Sequence, residues 1–412
     1  DAVFKIRADF HDDVKRTPES EHAMVAKIAD IAKAKGLLSF NNQAMASIID
    51  HLSLVADEQN RLSLHSDRLS QLLFESNRHA KLANANARQV GKKHVIQAIK
   101  DMDERSGYLR DLYWQEIENG QQIINTRGKA IGQINALTVI SYADSEFGMP
   151  ARLTALIQPK AGHGEILDIE RDVNLGGSLH AKGMLIQTCY LRSLFSQFHE
   201  LNFSASLAFE QNYAHIDGDS ATLAEACALM SALAKAPINQ GIAITGSMNQ
   251  FGEVQAIGGV NEKITGFYDT CMEQGLIATE TATKATASKT TSDQQIQQQV
   301  QQQVQGVIIP RSNIHNLMLR DDIIKAVEKG EFAIYAVEHL HEALQILTQM
   351  PIDEKNKKGN YRKKSLFGKI AKQLRKWEII DKENDKEDMT DEKDGDTKGT
   401  TKNSDTSPKK KK

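Results

Sequence analysis

A serine at the start of a helix is the first residue of this chain whose position could support chemistry. A strand-like run leads to the polar turn at residues 217–220 (DGDS), and a helix rich in small residues follows. A hydroxyl at such a junction lies near backbone N–H groups that have no helical acceptor and could hold an oxyanion. The alternative is helix capping by Asp219 or Ser220, with Thr222 and Glu225 at capping-box spacing. On these residues alone, capping is the favoured interpretation.

A lysine 43 residues further along could supply the base that a serine nucleophile needs. Residues 257–263 (IGGVNEK) run through a glycine pair into another predicted helix, so Lys263 falls in its first turn. The helix macrodipole disfavours a positive charge there, and burial among Ile257, Val260 and Ile264 would lower the pKa of the amine further. A neutral lysine can act as a general base for serine. The alternative is a surface lysine beside the preceding glutamate.

Alternating strand-like and helical runs surround both residues. The predicted strands are rich in apolar and β-branched residues and cover 135–140, 152–157, 204–209, 242–245, 307–309 and 333–336. The predicted helices have apolar residues at helical spacing and cover 184–198, 220–234, 262–273, 321–329 and 341–348. Residues 129–350 are therefore predicted to form an α/β domain.

The residues before this domain predict a helical domain over 1–128. Apolar side chains recur there at helical spacing, as in Leu69, Leu72 and Leu73, until the segment TRGK at 126–129 interrupts the pattern. The predicted fold class is thus α+β: a helical domain, an α/β domain and a charged tail.

Two segments have biased composition. Residues 277–305 are a low-complexity insertion, because nine of the twelve residues 294–305 are glutamine. Residues 351–412 form the charged tail. Within it, Leu366, Ile370, Leu374 and Trp377 predict one apolar face of a basic amphipathic helix, and residues 381–412 are predicted to be disordered.

Composition excludes several classes of protein. The 51 basic and 54 acidic residues give a net charge of −3, too small to make nucleic acid the main partner, and no apolar run is long enough to span a bilayer. Cys189, Cys227 and Cys271 are odd in number and widely spaced, which fits a reducing compartment and predicts a cytoplasmic protein. No GxxxxGK[ST] loop and no HExxH motif occurs, so neither a bound cofactor nor a metal is predicted for this chain.

The order and spacing of these motifs resemble the Lon protease family. DGDS, the Thr-Gly pair 25 residues after the serine, and GGVNEK match the Lon proteolytic domain over residues 136–348. The residues of these motifs and of the segments FEQ, LDIERDVNLGG and GVIIPRSNIHNLMLR are most similar to those of B-type and related bacterial Lon-like proteins. A-type enzymes differ in having proline before the serine and Ala-Gly after it, where this chain has Asp219 and Ala221-Thr222.

The resemblance implies a serine endopeptidase that degrades unfolded or damaged proteins. Ser220 would be the nucleophile and Lys263 the general base, with Asp217 and Thr245 as supporting polar residues. The helical domain resembles the lid subdomain of an AAA+ ATPase, in which Arg68 would sense nucleotide phosphate. The chain would then be the C-terminal part of a longer protease that uses ATP and magnesium and assembles into a hexameric ring.

Two alternatives belong to other functional classes. The chain could be a catalytically inactive Lon-like protein that serves assembly or substrate holding. The basic amphipathic helix could bind nucleic acid, a membrane surface or a partner, or it could pack on its own protease domain. The presence of both Ser220 and Lys263 at the family spacing favours an enzyme.

Overall fold

The computed structural model describes residues 8–142, 145–159, 164–195, 203–274, 304–352, 356 and 360–395. Five helices make up most of the first part: α1 (Pro18–Ala34), α2 (Asn42–Val55), α3 (Ser66–Ala83), α4 (Lys92–Ser106) and α5 (Tyr108–Glu118). Four short strands connect them in two pairs: β1 (Asp13–Lys15) with β3 (Arg61–Ser63), and β2 (Ser39–Phe40) with β4 (Gln89–Val90). The first domain is therefore mainly helical, as the sequence predicted.

Local sequence explains where these helices begin. The Thr17 side chain accepts from the Ser20 backbone N–H, the Ser20 hydroxyl accepts from the Thr17 N–H, and Pro18 occupies the first helical position of α1. Asn41 caps α2 in the same way. The apolar stripes of α1 to α4 then bury one shared core, which includes Leu69, Leu72 and Leu73.

Helix α5 packs outside that core. Its Ile117 joins a separate cluster with Ile124 and with Phe147 and Met149 of the second domain. The last helix of the segment assigned to the first domain therefore contacts the sheet of the second, and the boundary at residue 128 stays a prediction.

The second part is built on a seven-stranded mixed sheet. The strands of the sheet are β6 (Gln133–Tyr142), β7 (Ser145–Pro159), β8 (Ile166–Asp168), β9 (Phe203–Phe209), β11 (Ile242–Ile244), β14 (Gln305–Pro310) and β15 (Phe332–Val337). Their spatial order is β15-β14-β11-β6-β7-β9-β8, parallel from β15 to β6 and antiparallel across β6-β7 and β7-β9. Two small pairs lie outside the sheet: β5 (Lys129–Ala130) with β10 (Ile238–Asn239), and β12 (Ser247–Met248) with β13 (Val254–Gln255).

Helices cover this sheet. They are α6 (Ile169–Asp172), α7 (Ser178–Leu194), α8 (Thr222–Ala234), α9 (Val260–Glu273), α10 (Asp321–Glu328) and α11 (Leu340–Thr348), with a 3₁₀ helix at Arg311–Asn316. Each predicted strand and helix has a counterpart here, although α7 begins at Ser178 rather than at residue 184. The α/β class of the second domain is thus confirmed.

The helix that follows Ser220 and the helix that contains Lys263 are both packed closely in the domain. Helix α8 is buried on nearly all sides, which fits its content of alanine and leucine. Helix α9 lies directly on β7 because two glycines face each other there: a Cβ on Gly266 would collide with the Gly148 carbonyl.

Helix α12 (Leu366–Gly395) follows the second domain. Its apolar face, including Leu366, Ile370, Leu374 and Trp377, belongs to the main core and packs against α8. The interpretation as a helix packed on its own protease domain is confirmed, and this apolar face is not available to a membrane.

The backbone of α12 continues as a helix to Gly395, into the segment predicted to be disordered, where lysine and glutamate favour helix without a core. The predicted insertion at 277–305 lies outside the described residues except for its last two positions, and residues 396–412 lie outside them too. Within the described ranges, no helix combines the length and hydrophobicity needed to cross a bilayer.

Candidate active site

Ser220 lies in the turn immediately before helix α8. Its neighbour Ala221 is the N-cap residue, and no side chain caps the helix. The Asp219 carboxylate instead accepts a hydrogen bond from the Ser247 hydroxyl at 2.7 Å, and Thr222 Oγ1 donates to the Asp219 carbonyl at 2.6 Å. The capping interpretation was therefore wrong for both Asp219 and Ser220, because these side chains point to other partners.

The backbone of the serine turn is joined to the segment after β11. The Ser220 carbonyl accepts from the Gly246 N–H at 2.8 Å and from Thr245 Oγ1 at 3.3 Å, while the Leu223 N–H donates to the Gly246 carbonyl at 3.1 Å. Thr245 is fully buried, so its hydroxyl holds the Ser220 peptide rather than the Ser220 side chain. These hydrogen bonds fix the direction in which the Ser220 side chain projects from the backbone.

Lys263 reaches the serine from the first turn of α9. The Lys263 Nζ lies 3.1 Å from Ser220 Oγ, within hydrogen-bonding distance. Only 3% of Lys263 is exposed, so the alternative of a surface lysine beside Glu262 was wrong. The two residues that the sequence singled out are in direct contact.

Burial lowers the pKa of Lys263 to about 8, from an ordinary value of 10.5. The negative charges of Glu262 and Asp219 act in the opposite direction but do not cancel the effect. Val260 and Ile264 are fully buried beside the lysine, as the sequence predicted. The low polarity around the amine disfavours its charged form, which is the physical requirement for a lysine base.

One glycine of the predicted pair is needed by the backbone. Gly259 is the N-cap of α9, with a φ of 67°, and a Cβ there would meet the Val139 side chain at 2.6 Å. Gly258 has no atom within 4 Å of such a position. Of the two glycines, only Gly259 therefore makes the close backbone approach that the sequence predicted. Its left-handed conformation sets the direction in which the chain enters α9.

Backbone donors are available beside the serine. Among the hydrogen bonds of the described residues, none uses the N–H of Ser220 or of Ala221. Both groups lie at the N-terminal end of α8, where helix geometry leaves donors without intrahelical acceptors. An oxygen that gains negative charge next to Ser220 Oγ could accept hydrogen bonds from them.

The Asp217 carboxylate is hydrogen-bonded to the start of α7 and not to Ser220 or Lys263. This carboxylate accepts from the Leu179 N–H at 3.2 Å, at the start of α7, and it lies so close to Gly177 that a Cβ there would collide with it. None of the described hydrogen bonds joins Asp217 to Ser220 or Lys263. Asp217 therefore connects the serine turn to the N-terminus of α7.

A buried polar cluster behind α8 was not found from the sequence. His180 lies 3.1 Å from Asp168 and 3.6 Å from Glu225, and each of the three is at most 2% exposed. Burial raises the pKa of Glu225 to about 8. Each of these three polar residues occupies a buried position of its strand or helix, which is the only sign of the cluster in the sequence. Periodicity along one chain does not show that residues so far apart in sequence are in contact.

Arg68 lies on the exposed first turn of α3, far along the chain from the serine turn. It is near the half-buried His51, whose pKa is lowered to about 4 by removal of the ring from water and by the Arg68 charge, so this histidine is neutral at physiological pH. No hydrogen bond in the described part of the chain engages the Arg68 guanidinium, and its role as a nucleotide sensor stays a prediction.

Two family models match this chain. The archaeal LonB AAA+ ATPase LID domain matches residues 39–105, and the Lon protease (S16) C-terminal proteolytic domain matches residues 211–288, which contain Ser220 and Lys263. The chain belongs to the Lon protease family. The lid match includes Arg68, and the proteolytic match includes the serine turn, α8 and α9.

Individual Lon relatives extend these matches. A Lon protease homolog of Escherichia coli (strain K12) is 42% identical over 257 residues, which cover 62% of this chain and 39% of the relative. A Lon protease homolog of Haemophilus influenzae is 36% identical over 346 residues, covering 79% and 53%. The archaeal Lon protease of Archaeoglobus fulgidus is 25% identical over 341 residues, covering 81% and 47%. The chain thus spans about half the length of the Lon relatives that it matches.

Proposed function

We propose that this chain is a serine endopeptidase in which Ser220 is the nucleophile and Lys263 the general base. The observation that carries the proposal is the 3.1 Å separation of Lys263 Nζ and Ser220 Oγ at a buried amine. The lowered pKa of Lys263 supports it, because an appreciable fraction of the amine is then neutral near pH 8.

The reaction proceeds in two stages through an acyl-enzyme. The neutral Lys263 amine takes the proton of Ser220 Oγ as this oxygen bonds to the scissile carbonyl carbon, and the resulting ammonium returns the proton to the leaving amine as the C–N bond breaks. Water then attacks the ester carbonyl and gives a proton to the Lys263 amine. As the bond between Ser220 Oγ and the carbonyl carbon breaks, the Lys263 ammonium returns this proton to Oγ, and the peptide acid leaves.

The surrounding groups supply position and charge stabilisation. The N–H groups of Ser220 and Ala221 stabilise the oxyanion of each tetrahedral intermediate, for which loss of one donor typically costs about 10²–10³ in kcat. Thr245 holds the Ser220 peptide, and Asp217 holds the serine turn against α7. Both are supporting residues that do not touch the reacting atoms.

We further propose that the chain is the C-terminal part of an ATP-dependent protease that degrades unfolded or damaged proteins in the cytoplasm. The match to an AAA+ lid and the greater length of the relatives support this proposal. In that longer protein the P-loop and the magnesium ligands would lie outside this chain, and Arg68 would contribute one contact to the nucleotide phosphate. We also propose a hexameric ring.

A catalytically inactive assembly protein is the competing proposal, and substitution of the nucleophile distinguishes the two. Ser220→Ala should abolish hydrolysis of an unfolded substrate such as fluorescently labelled casein, with a loss on the order of 10³-fold or more. Ser193→Ala, at an exposed position of α7, is the matched control and should keep full activity. Undiminished casein hydrolysis by the Ser220→Ala protein would refute the assignment, and no hydrolysis by the parent protein would favour the inactive alternative.

The remaining alternative is that the exposed basic face of α12 binds nucleic acid or a membrane surface. Lys369, Lys372, Arg375 and Lys376 are exposed, whereas the apolar face of the helix is buried. A contact with nucleic acid or with an anionic membrane surface would therefore depend mainly on charge, because Ile379 and Ile380 are the exposed large apolar side chains in the part of α12 whose side chains are described. We do not favour this alternative over peptide hydrolysis.

A further inference from the structure

A buried asparagine fixes the first turn of the helix that carries Lys263. Asn261 is 3% exposed, and its amide donates to Asp57 Oδ1 at 2.6 Å and to the Asn316 carbonyl at 2.9 Å. Its Oδ1 accepts from the Met318 N–H at 2.7 Å. Both amide hydrogens and the carbonyl are thus used, so the position of this turn depends on two other segments of the chain, one at Asp57 and one at residues 316–318.

Asp57 belongs to the helical domain. It follows α2 in a left-handed conformation, with a φ of 51°, and its N–H donates to the Leu54 carbonyl at 3.0 Å. Its own carbonyl accepts from Asn316 Nδ2 at 2.8 Å. The hydrogen bond to Asn261 therefore joins the end of a lid helix to the start of the Lys263 helix, across 204 residues of sequence.

The local charges make Asn261 the favourable partner for Asp57. Burial raises the pKa of the Asp57 carboxyl, the negative charge of Glu146 adds to this, and the hydrogen bond from Asn261 opposes it. Burial likewise raises the pKa of Glu262, with Asp57 and Glu146 contributing. Acidic groups thus surround Asp57, and the Asn261 amide is the donor that stabilises its ionised form.

Asn261 and Lys263 share one helical turn, so a shift of the first moves the second. A displacement of about 1 Å at a reacting group can cost roughly 10²-fold in rate, and the Lys263 amine is already at hydrogen-bond distance from Ser220 Oγ. We propose that Asn261 is a positioning residue for Lys263 and that Asp57 makes this positioning depend on the helical domain. The inference rests on the proposed Ser220 and Lys263 function.

The test compares two substitutions of Asp57 in the full chain. Asp57→Gly removes the carboxylate and accepts the left-handed backbone without strain, whereas Asp57→Asn keeps an oxygen acceptor for the Asn261 amide and also tolerates this backbone. With a short fluorogenic peptide, Asp57→Gly should lower kcat about tenfold or more and change KM less than twofold. Asp57→Asn should retain kcat, because its amide oxygen can still accept the hydrogen bond from Asn261 although the negative charge is gone.

A neighbouring contact provides the matched control. Gln59 also crosses between the domains, with its Nε2 donating to the Leu317 carbonyl at 2.8 Å, but it does not touch Asn261. Gln59→Ala should therefore keep kcat within about twofold of the parent. An equal loss in Gln59→Ala and Asp57→Gly would overturn the inference, because it would indicate a general requirement for domain contact.

The pathway itself is tested with Asn261→Ala. This variant should lose kcat as Asp57→Gly does, and the double variant Asn261→Ala with Asp57→Gly should be no worse than Asn261→Ala alone. Unchanged kcat in Asn261→Ala, or additive losses, would overturn the inference even where Asp57→Gly folds poorly. An active Ser220→Ala protein would instead refute the proposed function, so the two failures are distinguishable.

Discussion

The rate of peptide hydrolysis should depend on pH through the Lys263 amine. Burial lowers the pKa of this amine from 10.5 to about 8, which corresponds to about 3 kcal/mol in favour of the neutral form relative to an exposed lysine. Because only the neutral amine can accept the Ser220 proton, activity should rise with pH and level off once the amine is fully deprotonated.

The pKa sets the size of the rise. With a pKa of about 8, about one tenth of the amine is neutral at pH 7 and about nine tenths at pH 9, so kcat/KM should increase about tenfold and then reach a plateau. A lysine at its ordinary pKa of 10.5 would give about a hundredfold rise over the same interval and no plateau by pH 9. The two profiles differ in slope and in shape.

The measurement is kcat/KM for a fluorogenic peptide at half-unit steps from pH 6 to pH 10, with far-UV circular dichroism at each pH to confirm folding. Lys263→Arg should be inactive throughout, because a guanidinium cannot give up its proton in this range. Lys182→Arg, at an exposed position of α7, should reproduce the parent profile. A flat profile, a hundredfold rise without a plateau, or activity in Lys263→Arg would refute the reasoning.

Three other predictions concern stability and nucleotide. Burial raises the folded-state pKa of Glu225 from 4.5 to about 8, so its contribution to stability is complete below about pH 4.5 and is lost as pH rises through 8. Glu225→Gln should therefore flatten the fall in the free energy of unfolding between pH 6 and pH 9, measured by urea denaturation at each pH; an unchanged slope would contradict this. Phe367 is 1% exposed and its ring lies 6.0 Å from that of Phe195, so Phe367→Ala should lower the free energy of unfolding by about 3–5 kcal/mol, whereas the exposed Lys369→Ala should change it by less than about 0.5 kcal/mol. Equal effects would show that α12 does not stabilise the domain. Because its 412 residues contain no GxxxxGK[ST] loop, the purified chain should neither hydrolyse ATP nor bind it tightly in calorimetry, and measurable ATPase activity would contradict the interpretation of residues 1–128 as a lid alone.

The sequence by itself was sufficient to predict the main helices and the central strands, but not the short strands β1 to β4 and β8 or the extension of α12 to Gly395. Apolar periodicity is a local property, so it placed α8, α9, β6 and β11 within about two residues of their bounds, although β7 begins seven residues before its predicted start. The glycine before α9 and the polar turn before α8 were also visible locally, because each answers a backbone requirement of its own segment. The choice of Ser220 and Lys263 came from the order and spacing of these motifs.

Tertiary structure decided what each of these residues touches. Asp219 and Ser220 had every local feature of capping residues, and only the position of Ser247 and Lys263 shows that their side chains have other partners. The apolar face of α12 fitted a membrane or a protein equally well until its packing against α8 was known.

The depressed pKa of Lys263 is likewise a property of the folded chain. It depends on how far the amine is removed from water, and Lys263 is only 3% exposed in the folded chain. The contact between Asp57 and Asn261 and the cluster of Asp168, His180 and Glu225 have the same origin. Sequence periodicity specifies which face of an element is buried, but the partner across that face is set only when the elements pack together.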